Sequence, residues 1–338
     1  MARRKKVRLK DIAKQLGISF ATVSQALNHP RLVRRQTVKM VMSKCEELGY
    51  VKKVSSKKRK GTIGVVAQDI YNLVLGDYYN YVLQGVLAES QKRGLKVEIE
   101  CLKDENLPLM VSKNSVDGLL LFGKIKKELV LALKQKGVPL ILVGHPIPNL
   151  ELHTVMADGR AGVYELTKHL IELGHRKIAF VYSKPLQDYI TADRIEGYRF
   201  ALIESRFKIN EEYLVEADWC SPESSYEATN KLLDLKQPPT AIVYANDPMA
   251  YRAYQAIRER KLKIPKDMSI AGFDNMPISD YIEPFKPELT TVAAPRQQIG
   301  KTAVDVLQNL IEKPSKIALR YTLPVSLMIK GSTAPPKA

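Results

Sequence analysis

Apolar residues in the first fifty positions recur at helical spacing. Leu9, Ile12, Ala13 and Leu16 share one face of a helix over 9–16, which Gly17 ends in a left-handed turn. Ser19 stands where a cap is needed for a second helix, Phe20 to Leu27, with Ala21, Val23, Ala26 and Leu27 as its apolar positions. Asn28-His29-Pro30 breaks that helix. A third is expected from Arg35 to Leu48, with Val38, Val41, Met42, Cys45 and Leu48 facing inward and Gly49 closing it. Two short helices joined through Gly, completed by a third, make a helix-turn-helix unit.

Past residue 60 the pattern changes. Gly61 to Ala67, Leu95 to Cys101, Asp117 to Phe122 and Val138 to Val143 are short apolar strands, with an amphipathic helix from Asp77 to Arg93 among them. A second series follows: Thr154 to Met156, a helix Gly159 to Leu173, a strand Lys177 to Tyr182 and a helix Asp193 to Phe207. It ends with strand Thr240 to Tyr244, a helix Asp247 to Arg260 and strand Met268 to Phe273. Apolar strands alternating with helices predict parallel sheets covered on both faces. Two series predict two doubly wound subdomains, with a ligand cleft at the carboxyl ends of the strands.

Charge changes the picture by its position. The 338 residues carry a net charge of +17. Residues 1–60 hold eighteen Lys or Arg against three acids, Asp11, Glu46 and Glu47, so +15 of that excess sits in this short segment. A small basic module on a nearly neutral body is the footprint of a polyanion binder. No apolar run approaches the roughly 20 residues that a membrane span needs. No apolar stretch follows the basic start, so no signal peptide is expected. Cys45, Cys101 and Cys220 are odd in number and widely spaced, which reads as free thiols in a reducing cytoplasm.

The motifs then become specific. The segments 9–13 (LKDIA), 17–28 (GISFATVSQALN) and 47–50 (ELGY) resemble the headpiece of the lactose-repressor family. That resemblance places the second helix in the major groove of double-stranded DNA. Phe20, Ala21 and Gln25 then occupy base-reading positions, while Ser19, Thr22, Ser24 and Asn28 hold phosphates. Phe20 and Ala21 can offer only apolar contact, for instance to a thymine methyl. Gln25 stands where many members have Arg; Gln pairs bidentately with adenine, whereas Arg prefers guanine. A plain phosphate or water contact is the other reading of Gln25. Arg34 replaces the Ser that commonly caps the third helix, and a further phosphate contact is the gain expected from it.

The resemblance extends through the body: 116–121 (VDGLLL), 169–180 (HLIELGHRKIAF), 194–198 (RIEGY), 245–250 (ANDPMA), 270–275 (IAGFDN) and 287–292 (PELTTV) look like the family's core. The implied fold is an N-terminal all-α helix-turn-helix headpiece plus an α/β core of two doubly wound parallel-sheet subdomains of periplasmic-binding-protein type. The expected limits are 1–52 for the DNA-binding domain, 53–60 for a basic hinge and 61–330 for the effector-binding core. Within the core the first subdomain takes about 61–159 and 292–320, and the second about 160–291 and 321–330. Residues 331–338, with two prolines, are expected to be a flexible tail. By the same resemblance the chain crosses between subdomains near residues 159, 291 and 321.

A cleft for a polar ligand needs forked donors, matching acceptors and an apolar plate. Arg194, Asn246 and Asp274 lie at the family's effector-contacting positions, the first as a planar fork and the others as acceptors. Trp219, the only Trp, lies where several relatives stack an aromatic on the ligand. Tyr78 and Tyr79 would contribute from the first subdomain, and Asp158 sits at the first crossover. Gly144-His145 departs from the Asp-Arg often found there, leaving His145 as a replacement donor or a structural residue. Helix capping or loop bonding is the plainer role for Asn246 and Asp274, and a core or surface anchor for Trp219.

No nucleophile elbow, P-loop or dinucleotide fingerprint is present. Five histidines without carboxylate or thiol companions at ligand spacing argue against a metal site. The expectation is therefore a non-enzymatic, cofactor-free, cytoplasmic transcription regulator. It would act as a homodimeric repressor on a near-palindromic operator, under a small effector such as a sugar. Control of the core mainly by a protein corepressor is the alternative, and the sign of the effector's action is open.

The linker departs most from the family, whose members usually insert the leucine of a short hinge helix into the minor groove. Only the eleven residues Val51 to Gly61 separate Tyr50 from Thr62; six are Lys or Arg, and none is Leu. Val54 is the one apolar candidate for a wedge. Phosphate attraction by residues such as Lys57 and Arg59 replaces the wedge in this reading, so the hinge should bend DNA little. Replacing Lys57, Lys58, Arg59 and Lys60 with Ser is expected to flatten the log–log salt dependence of operator binding by about 0.9 for each phosphate no longer neutralised. An unchanged slope would mark the segment as a plain tether, and a strong kink abolished by Val54→Ala would restore the wedge.

Overall fold

In the computed structural model of the chain, the residues described are 9–28, 33–48, 61–68, 77–102, 107–183, 188–218, 221–277, 286–315 and 317–337. The expectations for the basic hinge, including Lys57 and Arg59, and for Trp219 fall outside them. The chain divides into two compact units, residues 1–59 and 60–338.

The first unit holds α1 (Leu9–Leu16), α2 (Phe20–Asn28) and α3 (Arg35–Glu47). Ile12, Ala13, Val23, Ala26, Val41 and Cys45 form its core. The Ile18 amide returns to the Ala13 carbonyl at 3.2 Å, which closes α1. Met42 departs from the expected inward face and is 52% exposed. It lies at the margin of the stripe through Val38, Val41 and Cys45, beyond what two short partner helices cover.

The second unit contains two six-stranded sheets. The first subdomain is built from β1 (Thr62–Ala67), α4 (Asp77–Lys92), β2 (Lys96–Cys101), α5 (Leu109–Ser112), β3 (Gly118–Phe122), α6 (Lys127–Gln135), β4 (Leu140–Val143) and β5 (Thr154–Ala157). The second takes α7 (Gly159–Glu172), β6 (Ile178–Ser183), α8 (Tyr189–Glu204), β7 (Leu214–Ala217), α9 (Pro222–Leu233), β8 (Ala241–Tyr244), α10 (Asp247–Glu259), β9 (Ser269–Asp274) and β10 (Thr290–Ala293). The chain then returns to the first subdomain for α11 (Arg296–Glu312) and β11 (Arg320–Leu323), and ends in the second with β12 (Ser326–Met328). Three crossings result, at residues 158, 294–295 and 324–325.

Strand order is β11-β5-β4-β3-β1-β2 in one sheet and β12-β10-β9-β8-β6-β7 in the other. All pairings are parallel except β10 with β12. Every residue of β1, β3, β4, β5, β8 and β9 is buried, as helices on both faces demand. Gly85 of α4 and Gly300 of α11 lie where the two helices touch, and a Cβ on either would strike the other helix's backbone. That close approach lets Val82, Val86, Ile299 and Ala303 seal the first core.

Two further expectations are corrected. Helix α8 begins at Tyr189 rather than Asp193, because the Asp188 side chain accepts from the Ile190 amide at 3.2 Å and caps it. The tail is docked along residues 331–337 rather than flexible. Ser332 is fully buried; its hydroxyl donates to the Ile270 carbonyl at 2.6 Å and accepts from the Thr290 amide at 2.7 Å. The Ala334 carbonyl meets His175 Nε2 at 2.9 Å, and its amide donates to Ser269 Oγ at 3.1 Å. Small residues and prolines look like a loose end, but the amino ends of the central strands carry buried donors that need partners.

Deleting residues 331–338 therefore orphans several of these groups, at about 1–3 kcal/mol each. With ~2–4 °C per kcal/mol for a unit of this size, scanning calorimetry of the full chain should show the midpoint of the second unit falling by at least roughly 5 °C. A shift below about one degree would show the tail to be a passenger.

Candidate functional site

Two regions carry the chemistry. On α2, Val23 and Ala26 are buried, while Phe20, Ala21 and Gln25 face solvent. Phe20 is half exposed, an arrangement that wastes apolar surface unless something covers it. Ser19 Oγ accepts the Thr22 amide at 3.0 Å and lies 2.8 Å from Thr22 Oγ1, so two hydroxyls cluster at the amino end of the helix. That end has no acidic residue in its first turn, which leaves the helix dipole favourable to anions. Ser24 is partly buried, Asn28 closes the helix, and Arg34 is exposed just before α3, whose hydrogen-bond ladder starts at the Arg34 carbonyl.

The second region lies between the two sheets, at the carboxyl ends of their strands. Tyr78 and Tyr79 at the start of α4 pack edge to face, with centroids 5.1 Å apart, and Tyr79 leans on Phe122 at 5.5 Å. The Tyr79 hydroxyl occupies the space that a Cβ at Gly144 would need, and Gly144 has φ +89°. The glycine and the tyrosine therefore belong together, and the missing carboxylate there has a packing reason. Burial pushes the Tyr78 phenol above its usual range, with the Asp274 charge adding to it; burial does the same for Tyr79, followed by Tyr78 and Asp274.

Arg194 enters from α8 and stacks on the Phe273 ring, 3.9 Å from its centroid. It donates to the Ala245 carbonyl. Its second amino group stands 3.6 Å from Asp274 Oδ1, an ion pair longer than a hydrogen bond. Arg194 Nε and Asp274 Oδ1 are both buried with no hydrogen-bond partner among the described residues. Asp274 ends β9 with φ +104° and Asn275 follows at +49°, so the carboxylate is presented by strained backbone. Burial raises the Asp274 pKa, against the opposing pull of Arg194 and Arg296.

Asn246 and Asp158 serve first as helix caps. Asn246 Oδ1 accepts the Met249 amide at 2.9 Å on α10, and Asp158 accepts the Ala161 amide at 3.0 Å on α7. Asn246 keeps its amide donors for other use. His145 is half-buried, with its Nδ1 sealed from solvent 4.0 Å from Asp188 Oδ1. Arg194, Asp274, Tyr78 and Tyr79 are thus brought together; Asp158 and Asn246 hold the helix ends.

Sequence reasoning missed four residues. Asp188 and Lys124 form an ion pair of 2.6 Å between the subdomains. Arg296, opening α11, donates to the Asn275 carbonyl at 3.0 Å and lies 4.5 Å from the Tyr81 ring centroid. Asp247 is buried directly after Asn246, accepting from Thr291 Oγ1 at 2.6 Å and from the Met276 amide at 2.7 Å. Only Asp247 left a signal, through its place in the 245–250 motif. An open depression lined by Tyr81, Tyr251, Asn275, Arg296 and Lys330 flanks the loop, but Arg194 and Asp274 do not line it. Among the described residues no cluster of His, Cys, Asp or Glu suits a metal ion, and no helix is long and apolar enough to cross a membrane.

Residues 8–53 match the family described as bacterial regulatory proteins, lacI family, and residues 167–333 match the periplasmic binding protein-like domain. A probable HTH-type transcriptional repressor, ExuR of Bacillus subtilis, is 30% identical over 96% of this chain and 98% of its own length. The chain belongs to the lacI family. Its solved relatives include a transcriptional regulator, CelR, in complex with cellobiose, 25% identical over 96% of this chain and 99% of that one, with a TM-score of 0.70. A lacI-family regulator from Enterococcus faecium with bound ribose is 29% identical over 82% of this chain and 100% of that one, with a TM-score of 0.69. This member of the lacI family therefore joins a helix-turn-helix DNA-binding domain to a periplasmic-binding-protein-like body.

Asp247 gives the body a pH dependence. Burial pushes its carboxyl up to about 8, only partly offset by the Thr291 hydroxyl. The folded chain thus binds this proton more tightly than the unfolded chain does. The resulting stability is full below about pH 4 and fades as pH rises towards 8. Asp247→Asn keeps an acceptor for the Met276 amide and never ionises. It should raise the unfolding midpoint at about pH 8.5 and change it little near pH 4. Equal shifts at both pH values would remove Asp247 as the cause.

Proposed function

We propose that the chain is a sequence-specific transcriptional repressor that binds a near-palindromic operator as a homodimer and is switched by a small polar effector, such as a sugar, held between the subdomains. One observation carries the sensor half of this reading. Arg194 Nε, from α8, and Asp274 Oδ1, at the end of β9, are buried with no hydrogen-bond partner among the described residues, close to Tyr78 of the other subdomain. Buried polar atoms are rarely left unpaired. Hydroxyl groups of a ligand supply the missing partners, since they both donate and accept. Relatives that hold cellobiose and ribose support the ligand class.

The DNA half rests on α2. Exposed Phe20, Ala21 and Gln25 would read base edges in the major groove, while Ser19, Thr22, Ser24, Asn28 and Arg34, with Lys57 and Arg59 of the linker, would hold phosphates. In the sensor Arg194, Asp274, Asn246, Tyr78 and Tyr79 would contact the effector; His145 and Asp158 would line its site, and Trp219 would stack on it. Dimerisation follows from operator symmetry, because one headpiece reads one half-site.

A sugar panel screened by thermal shift on the full chain identifies the effector, since a selective ligand stabilises the folded state. Arg194→Ala and Asp274→Ala are each expected to weaken it by about 1–3 kcal/mol or more while operator binding persists. Gln25→Ala should lower operator affinity by ~1–3 kcal/mol and leave random-DNA binding unchanged. Wild-type effector responses in both core variants would sink the pocket assignment. Equal losses on operator and random DNA would reduce Gln25 to a backbone contact.

A further inference from the structure

We propose that Lys124 and Asp188, with His145 packed beside them, form an electrostatic clasp that sets how far the cleft stands closed before any effector arrives. The proposal rests on the cleft being the effector site, but its test needs no effector. Lys124 follows β3 and His145 follows β4, both in the first subdomain, whereas Asp188 opens α8 in the second. Lys124 Nζ lies 2.6 Å from Asp188 Oδ2, and His145 Nδ1 lies 4.0 Å from Oδ1. The pair therefore exists only while the two subdomains are close together.

Asp188 is fixed from its own side. Its Oδ1 receives the Ile190 amide at 3.2 Å, so the carboxylate is aimed by the amino end of α8 and does not travel with the first subdomain. Residue 189 is engaged from across the cleft as well. Arg320 of β11 donates to the Tyr189 hydroxyl at 2.7 Å and lies 4.2 Å from that ring's centroid. The first subdomain thus grips the start of α8 at two adjacent residues, and α8 also carries Arg194. Burial works against the Asp188 charge, but the His145 and Lys124 contacts prevail and hold its carboxyl well below the usual range.

This geometry favours a clasp over an acidic-ligand subsite. An incoming carboxylate would have to displace one that is already anchored to its helix and matched by Lys124 at hydrogen-bond distance. The clasp holds a resting state near closure, so effector binding has less motion left to organise and is correspondingly tighter.

The test measures the distance between spin labels on Gln135→Cys in α6 and Glu227→Cys in α9, both exposed sites, by pulsed electron resonance. It uses the full chain with its native cysteines replaced by Ser, diluted with unlabelled chain. Asp188→Asn keeps a good N-cap while removing the charge, and Lys124→Gln removes the partner. Each is expected to shift the distribution to longer distances, and the double variant no further than either alone, as coupled partners require. Molar salt should lengthen the distances of the unmodified pair and leave both variants unmoved, because exposed portions of the pair are screened. Unchanged distributions in both single variants, or additive widening in the double, overturn the clasp. Effector binding in the same variants would still stand or fall by Arg194 and Asp274.

Discussion

A charge taken out of water must find a partner, and the body of this protein is arranged around that requirement. Arg194 and Asp274 sit where two parallel strands end, among groups that exclude solvent. Their attraction alone does not compensate their desolvation unless further hydrogen bonds are made. The surroundings supply part: the Ala245 carbonyl, the Phe273 ring and a loop fixed by Asp247 from one subdomain and by Arg296 from the other. What remains, at Arg194 Nε and Asp274 Oδ1, is buried without a hydrogen-bond partner among the described residues, and it is this deficit that the proposed ligand would fill.

Much of this was legible along the chain. The three headpiece helices, eight of the twelve strands and the alternation that makes them parallel follow from local periodicity, which needs no partner to be read; β7, β10, β11 and β12, of three or four residues each, do not show it. Arg194 and Asp274 could be singled out through the motifs around them, 194–198 and 270–275. Asp188 was not: its role depends on Lys124, sixty-four positions earlier, and no local pattern encodes a pair at that separation. Met42 shows the limit within a helix, since periodicity gives a face but not how much of it a neighbour covers. The tail shows the converse. Its composition predicts looseness, while its conformation answers to unpaired backbone groups at Ile270 and Thr290.

The two regions of chemistry obey different rules. On α2 the side chains proposed to read bases, Phe20, Ala21 and Gln25, are exposed on a helix held only by a small core, so their readout would depend on what the surface presents. In the cleft they are buried and positioned by caps, strained backbone and ion pairs. Substitution in the first changes a contact. In the second it also changes the shape that makes contact possible.

The threefold crossing has a bearing on how the chain is made. A growing chain delivers its elements in order, and domains generally fold as units as they emerge. The headpiece is complete early. The first subdomain is not, because α11, which covers Val82 and Val86, and the edge strand β11 arrive only by residue 323. The second waits longer still, for β12 and the buried Ser332. A nascent chain therefore owns a finished DNA-binding module while neither half of its periplasmic-binding-protein-like body is sealed, and the open apolar faces of β1 to β5 need shelter for much of synthesis.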